Sequence, residues 1–499
     1  MKHRPGLWLT VALTIFYTVL GNDRIGSGDG ETMFQVTRSL AENGRLDLPP
    51  GILSPVDVTL TSDADVEIPY TITGREGRTY AKYGLGQSLA ALPLYLLGMV
   101  GRAVTGNTHL PRAASLVLNG LLTAATAGLL FALSRELGFS TRTGIIVALA
   151  FALCTPAWAY THTFFSEPLV TFCLTGAGLA GVRFVRQDRT IWLVVIGGAL
   201  GLALLTKISA LAALPAFALY LLCSWRDKGS PLPLVARQAA AGLVALGAAV
   251  GLILLYNLLR SGRPFDFGYH TANWQTPFLQ GLAGLTLSSG KGILWYAPPV
   301  ILGIIGLPSF ARRFPRVALL CVGLPLSYLL LHSFYTYWAG GWCWGPRLIL
   351  PALPLAILPI GSFLERQRPR QIVELGLALV LVLGFLIQVP AVGSNYAHPL
   401  QQAYQSSPEG YLDRVLYQPA HSPLFRQWPC FLGVIANLRR PAVRAQISRL
   451  LADARPEELL PFTGSAAEAL RLKRQTILSY NLPDLWLVTR PWLRQGAGR

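Results

Sequence analysis

Long apolar runs separated by short basic loops set the character of this chain. Runs able to span a bilayer fall near residues 7–21, 111–134, 143–160, 166–185, 190–205, 208–225, 233–257, 291–311, 315–336, 347–364 and 370–392, most of them close to the roughly 20 residues a crossing helix needs. A twelfth, near 84–101, is ambiguous. Lys and Arg gather between the runs: Lys2 and Arg4; Arg135 and Arg142; Arg183, Arg186 and Arg189; Arg226, Lys228 and Arg237; Arg312, Arg313 and Arg316; Arg366, Arg368 and Arg370. The positive-inside bias puts all of these loops in the cytoplasm.

That assignment has a consequence of parity. If residues 84–101 also crossed, the start of the chain and everything beyond residue 134 could not both obey the bias. One run must drop out, and this one contains Pro93 and follows a long polar stretch rather than a tight turn. It is expected to be an interfacial or re-entrant helix. About eleven spans remain, giving an all-α polytopic membrane protein with a cytoplasmic N-terminus. The outer pieces are then a large first loop (22–110), a short loop around Glu167, the loops 259–290 and 337–346, and a tail, 394–499, that is Arg-rich with scattered aromatics and whose fold the sequence does not disclose.

Composition agrees with this pattern and excludes one alternative. Of 499 residues, 52% are hydrophobic and 13% charged, too apolar for soluble domains. A formal charge of +18 would suggest nucleic acid in a soluble protein, but here the cations follow the membrane topology, so nucleic-acid binding is set aside. Cys154, Cys173, Cys223 and Cys321 lie in apolar runs and read as small hydrophobes, whereas Cys343 and Cys430 fall in outer segments where a disulfide could form. The first run, Leu7 to Leu20, is followed by Gly21-Asn22-Asp23, which is not a small-residue cleavage site, so it is expected to remain as a helix.

Two acidic sites stand at the outer boundary: Asp29 in GSGDGET, before an amphipathic stretch with Met33, Val36, Thr37 and Leu40 at helical spacing, and Glu167 in YTHTFFSEP. Paired carboxylates there suit base catalysis, one taking the proton from an attacking hydroxyl while the second orients the acceptor or helps hold a divalent cation. The plain alternatives are a helix N-cap for Asp29 and a solvated first-turn acid for Glu167. The surface helix should stop at Asn43-Gly44, and TITGREGRTYAKYG should form a hairpin around Gly74 to Gly77.

A lipid-phosphate substrate needs cations near the membrane surface. Lys82 in TYAKYGLG, Lys207 in LLTKIS, Lys291 in SSGKGILWY and Arg347 in GGWCWGPR all fall at outer ends of apolar segments, against the charge bias of the other loops. The alternative for each is a side chain that anchors its helix by snorkelling. GLTLSSGKG is not a P-loop, because its first Gly is one residue too far away and Gly292 replaces the Ser or Thr. FYTYWAGGWCWGPR reads equally as an interfacial aromatic belt or a sugar-stacking platform. His162, His270 and His332 show no metal-ligand spacing, and Asp266 in GRPFDFGYH is a further outer-loop acid.

In order and sidedness these residues resemble the GT-C superfamily of membrane glycosyltransferases, in particular the branch of protein O-mannosyltransferases and of the aminoarabinose transferases that modify lipid A. The resemblance is spread over residues 1–365. It places Asp29 at the catalytic Asp that opens a surface helix, and Glu167-Pro168 at the acid-Pro step of the second outer loop. Where a further acid is common the chain has Gly30, with Glu31 next to it as a substitute in an acceptor or metal role, as Asp266 also could be. Lys82, Lys207 and Arg347 fall where the resemblance implies contacts to the carrier phosphate, and Lys291 joins them as a candidate.

What the resemblance implies is a GT-C-like transmembrane catalytic domain over 1–393, with juxtamembrane helices in its first outer loop, in a bacterial inner or plasma membrane. The implied reaction is an inverting hexosyl or pentosyl transfer from a polyprenyl-phosphate sugar to a lipid, glycan or protein hydroxyl. Asp29 would act as base, and Mg or Mn remains open as a cofactor. Membrane lipids are the other expected partner. The competing function is a transporter or flippase of a lipid-linked or glycan substrate, against which stand apolar helix centres and the candidate acids' place at the outer boundary. A scaffold that merely binds a partner through its outer loops is the third reading.

Overall fold

The computed structural model describes residues 4–22, 24–48, 56–58, 67–269, 274–365, 371–406, 410–455 and 466–495. Nearly all of this is helical, because a helix satisfies its own backbone where lipid cannot. Helix α1 (Pro5–Val19) leads to a first loop holding α2 (Gly28–Asn43), four short strands and α3 (Gly86–Thr105). Then come α4 (Leu110–Leu116), α5 (Leu118–Glu136), α6 (Thr141–Cys154), α7 (Ala157–Tyr160), α8 (Glu167–Gln187), α9 (Ile191–Thr206), α10 (Leu214–Asp227) and α11 (Leu232–Ser261). The second half carries α12 (Phe278–Leu287), α13 (Ile293–Tyr296), α14 (Pro299–Arg313), α15 (Pro315–Ser333), α16 (Leu353–Ile357), α17 (Ile360–Leu364) and α18 (Gln371–Gly393). The C-terminal region adds α19 (Ala397–Ser406), α20 (Tyr411–Tyr417), α21 (Pro423–Asn437), α22 (Pro441–Ala452), α23 (Ala466–Asn481) and α24 (Trp486–Gln495).

Among the described residues, eight helical segments are long and apolar enough to cross a membrane. Seven fall on expected runs, and the eighth is α3. The other four expected runs yield shorter main helices: α1 and α14 of 15 residues, α6 of 14 and α9 of 16. Two of these shortenings have a visible cause. Pro156 separates α6 from α7, and Pro298 opens α14 after the short α13, each removing a backbone donor the longer helix would need. Helices approach closely where glycines permit: a Cβ on Gly197 of α9 would lie 2.0 Å from the Gly242 carbonyl of α11.

The basic loops gather at one end of the bundle and neutralise the few acids there. Arg183 and Arg186 reach Glu136 at 2.8 and 3.0 Å, Lys228 reaches Asp188 at 2.7 Å, and Arg316 reaches Asp227 at 2.6 Å. Lys2, Arg366, Arg368 and Arg370 lie outside the described residues. The other end, called the mouth below, holds the starts of α2 and α8 and the end of α9.

α3 runs continuously through Pro93 and is long and apolar enough to span a membrane. Its first turn is fixed at the mouth. Gln87 Nε2 donates to Asn119 Oδ1 at 3.1 Å, Asn119 donates to the carbonyls of Thr163 and Phe165, and a Cβ on Gly86 would lie 2.1 Å from Thr206 Oγ1. From there α3 pairs with α4, Gly98 against Pro111 and Gly101 against Leu110, and leaves Leu96, Leu97, Val100 and Val104 exposed. An apolar stripe outside the bundle suits a helix lying at a membrane surface.

α2 begins and ends on identifiable signals. The Ser27 side chain accepts from Gly30 N at 3.2 Å, and Gly44 closes the helix at φ +65°, a conformation glycine adopts without strain. Strands β1 (Val56–Val58) and β2 (Glu67–Pro69) pair antiparallel, and β3 (Thr71–Thr73) and β4 (Thr79–Ala81) form the expected hairpin, Thr73 opposite Thr79. All six cysteines are free, so Cys343 and Cys430 do not form the disulfide that their shared sidedness allowed.

The C-terminal helices dock on the first loop. Asp484 accepts both Nε and Nη2 of Arg24, its own N–H reaches the Gly393 carbonyl at 3.0 Å, and Trp486 donates to the carbonyls of Gly21 and Thr18. Both charged side chains are largely buried. Asp484→Ala strands the Arg24 guanidinium and should weaken this docking by about 3–5 kcal/mol. Trypsin should then cut the arginine-rich C-terminal region markedly faster than in the parent protein; equal cleavage rates would show that the pair does not hold it.

Candidate active site

The site forms where α2, the hairpin, α8, α9 and the loop before residue 347 meet at the mouth. Because Ser27 caps α2, Asp29 is not spent as the cap and stands in the first turn with its carboxylate free to face inward. Its Oδ2 accepts from Arg347 Nη2 at 2.9 Å, and the Tyr83 hydroxyl also donates to it. Glu167 opens α8 and is almost wholly buried, its side chain 2% exposed. A carboxylate at that depth needs partners. Lys207 Nζ donates to Oε1 at 2.5 Å, and Arg347 Nε lies 3.1 Å from the same oxygen. One guanidinium therefore serves both acids, and the Phe165 ring stacks beneath it at 4.3 Å.

Lys207 stands where a helix gives way to tighter backbone, and Arg347 where a loop does. Lys207 is extended (φ −153°, ψ 121°) between α9 and a 3-10 turn at Ile208–Ala213, and Arg347 opens another at Arg347–Ala352. Lys82 follows β4, its ammonium 5.4 and 5.3 Å from the Tyr70 and Tyr83 ring centres. Burial alone would push the Asp29 carboxyl up. Arg347, then Lys82, the Tyr83 hydrogen bond and Lys207 outweigh it and hold Asp29 below the usual carboxylate range.

These groups border a single cavity of about 1420 Å³. Asp29, Lys82, Lys207 and Arg347 line it, and Glu167 sits directly behind the last two. One flank is apolar: Leu211 from the 3-10 turn and Leu330 and Phe334 at the end of α15 line the cavity while remaining 54%, 51% and 41% exposed, so the cavity opens sideways between these segments. The aromatic run divides. Tyr335, Tyr337 and Trp342 face the cavity, whereas Trp338 and Trp344 are buried packing.

Residues 95–250 match the family model described as dolichyl-phosphate-mannose-protein mannosyltransferase. Among solved structures, the Archaeoglobus fulgidus oligosaccharyltransferase in its apo form aligns with a TM-score of 0.52 at 11% identity, over 85% of this chain and 61% of that one. The chain has the GT-C glycosyltransferase fold. ArnT from Cupriavidus metallidurans also aligns: in its apo state over 97% of this chain and 78% of that one, at 16% identity and TM-score 0.49; bound to undecaprenyl phosphate, over 99% and 78%, at 14% and 0.49. No curated protein matches. With this fold and its apolar helices, the chain is an integral membrane protein.

Within the GT-C scaffold three residues singled out from sequence take other places. Lys291 does not line the cavity: its buried ammonium donates to the carbonyls of Gly341 (3.0 Å) and Cys343 (2.5 Å) and to Cys343 Sγ (3.1 Å). A snorkelling or phosphate-binding lysine would keep its head in water or at the ligand; this one braces the loop that leads to Arg347. Glu31 projects from the other face of α2, because one residue's step along a helix turns the side chain by about 100° from its neighbour and two steps carry it to the opposite side. There it pairs with Arg112, which also meets Glu468 of α23 at 3.3 Å. Asp266 does line the cavity, but its Oδ1 accepts from Gly268 N at 2.9 Å and shapes its own loop.

The described residues do not form an all-protein cage for Mg or Mn. Among the described residues no three His, Cys, Asp or Glu side chains gather, and the space a cation would need between Asp29 and Glu167 is bridged by Arg347. His332 lines the cavity with Nδ1 2.9 Å from the Tyr328 carbonyl, His162 is buried elsewhere, and His270 lies outside the described residues. Sequence reasoning missed Tyr83 and Arg112 and weighed His332 only as a metal ligand; of the two missed, only Tyr83, adjacent to Lys82, carried a usable signal.

The two carboxylates should behave differently on mutation. Glu167→Ala leaves Lys207 and part of Arg347 uncompensated in a buried site and should cost about 3–5 kcal/mol. Asp29→Asn leaves Arg347 its Glu167 partner and should cost about 1 kcal/mol or less. Thermal unfolding of the purified proteins in detergent measures both, and equal losses would contradict this division of roles.

Proposed function

We propose that the chain is an inverting glycosyltransferase that moves a sugar from a polyprenyl-phosphate donor to an acceptor hydroxyl on the extracytoplasmic side. The observation that carries this reading is the coexistence, in one cavity, of the Asp29 carboxylate, the cations Lys82, Lys207 and Arg347 beside it, a further cation in Arg263, and an apolar sideways opening. A polyprenyl chain can enter between the Leu211 turn and α15 while its phosphate meets Lys82, Lys207 and Arg347. The matched mannosyltransferase model supports the reaction class over residues 95–250. The basic end of the bundle would face the cytoplasm, leaving the mouth outside, with α3 lying at the outer surface.

In this reading Asp29 takes the acceptor proton as the acceptor oxygen attacks the anomeric carbon. The new carbon–oxygen bond forms on the face opposite the phosphate, the old one breaks, and polyprenyl phosphate leaves with both electrons of that bond, inverting the anomeric centre. Lys82, Lys207 and Arg347 stabilise the phosphate as its charge grows. Glu167 keeps Lys207 and Arg347 in place rather than touching the sugar.

Transfer of labelled sugar from the membranes' own polyprenyl-phosphate pool tests this directly. Asp29→Asn should lower transfer by about 10²–10⁴-fold, the usual worth of a general base. Lys82→Ala should weaken it as well, and the product should have inverted configuration. Undiminished transfer with Asp29→Asn overturns the assignment of the base; a pool that is never consumed favours a transporter.

The shared Arg347 also sets a pH signature. A carboxyl depressed by a cation stays ionised until the pH falls through its lowered value, so kcat/KM for the donor, which reports free enzyme, should hold into acid. Once the donor phosphate competes for Arg347, Asp29 becomes more basic, and the acid limb of kcat should lie at higher pH than that of kcat/KM. Coincident limbs would show that the phosphate does not draw on Arg347.

A further inference from the structure

Arg260, at the end of α11, is 1% exposed, and every hydrogen bond it makes goes to a neutral oxygen. Nη1 donates to the carbonyls of Ala81 (2.9 Å) and Lys82 (3.1 Å), and Nη2 to Asn257 Oδ1 (3.1 Å) and the Asp266 carbonyl (2.8 Å). The Tyr256 ring lies 4.9 Å from the guanidinium. Burying a cation without a carboxylate is costly, and neutral packing would hold two loops together at less expense in free energy. What the guanidinium adds is a planar fork of donors in fixed geometry, which lysine cannot supply.

The carbonyls that Arg260 collects belong to the two loops that border the cavity on either side of Lys82, the β3–β4 hairpin and the segment around Asp266. Both are already seated tightly on this point: a Cβ on Gly74 would lie 2.1 Å from the Arg260 carbonyl, and one on Gly268 2.7 Å from the Lys82 carbonyl. The Lys82 peptide is therefore held from both sides, its N–H by the Tyr70 carbonyl at 3.1 Å and its C=O by Arg260. The side chain between them has its ammonium placed over the Tyr70 and Tyr83 rings, at the cavity wall.

We infer that Arg260 is a positioning residue for phosphate binding: it fixes the Lys82 peptide so that the ammonium meets the phosphate of the lipid carrier. This rests on the reading of Lys82 as a phosphate ligand. Arg260 itself does not touch the substrate, so its effect passes through Lys82 and disappears when the Lys82 ammonium is removed.

The test is a double-mutant cycle on purified full-length protein, reading the Kd for polyprenyl phosphate and, separately, thermal unfolding. Arg260→Lys in the parent background should weaken binding about tenfold, and in the Lys82→Ala background by less than about twofold. Gly268→Ala, which keeps the Arg260 side chain but strains the backbone at φ +79° and presses a methyl on the Lys82 carbonyl, should weaken binding in the same way, and serves where an Arg260 variant does not fold. Multiplicative losses in the two backgrounds would overturn the inference, as would a folded Arg260→Lys, or a folded Gly268→Ala, that binds like the parent. If Lys82→Ala alone binds polyprenyl phosphate normally, the failure lies in the phosphate-ligand reading, and the role of Arg260 falls with it.

Discussion

The guanidinium of Arg347, shared between Asp29 and Glu167, is the constraint around which the mouth of this bundle is arranged. A buried arginine is tolerated when its charge is matched and its donors are used, and a carboxylate as deeply buried as Glu167 is tolerated on the same terms. Neither could occupy this place without the other. The requirement brings together the first turn of α2, the start of α8, the end of α9 and the turn at residue 347, segments far apart in sequence. It also accounts for the irregular backbone there: Lys207 sits where α9 passes into a 3-10 turn and Arg347 where a loop does, joins at which a side chain can be aimed across the bundle axis. The N-terminal ends of α2 and α8, each with an acid in the first turn, add the favourable interaction of negative charge with a helix dipole.

Beyond this centre, support is layered. Lys291 braces the carbonyls of the loop leading to Arg347, Arg112 ties Glu31 to Glu468, and Arg24 ties the first loop to Asp484. Two of the three ties reach the C-terminal helices, so the region beyond residue 394 is packed against the loop that carries Asp29. The opposite end of the bundle is built on a different rule. Its arginines and lysines pair with acids at the surface, where such contacts contribute little to stability.

The helices could be read from the sequence because lipid imposes one demand, internal backbone pairing over about 20 apolar residues, and seven of the eleven long runs meet it in one continuous segment. Asp29, Glu167, Lys82, Lys207 and Arg347 were legible as charges standing at the mouth, and four of them line one cavity with the fifth behind them. Lys291 and Glu31 looked equivalent on that criterion, and they are not. Sequence gives the height of a charge along the bundle axis but not its azimuth, and azimuth separates Asp29 from Glu31 on one helix turn. Arg260 was invisible for the same reason: an arginine at a helix end reads as an anchor until its carbonyl partners, contributed by residues 81, 82 and 266, are known. The C-terminal fold was illegible because its helices are amphipathic rather than apolar, and their partner is a loop at the other end of the chain.

Charge balance in the cavity ties the shared arginine to the proposed reaction. Lys82, Lys207 and Arg347 carry three positive charges against two negative ones on Asp29 and Glu167, and Arg263 and Asp266, which also line the cavity, cancel, leaving a net of one, which a phosphodiester donor would neutralise. As the acceptor proton moves to Asp29, the carboxylates retain a single negative charge, and the departing phosphate gains one. The charge that disappears at Asp29 thus reappears on the phosphate, and Arg347, already bonded to Asp29, is the cation able to follow it from one to the other. The total never changes, so the site has no need to admit or expel an ion during the chemical step. In a low-dielectric cavity that constancy matters more than the strength of any single contact, because an uncompensated charge there would cost more than each pair contributes.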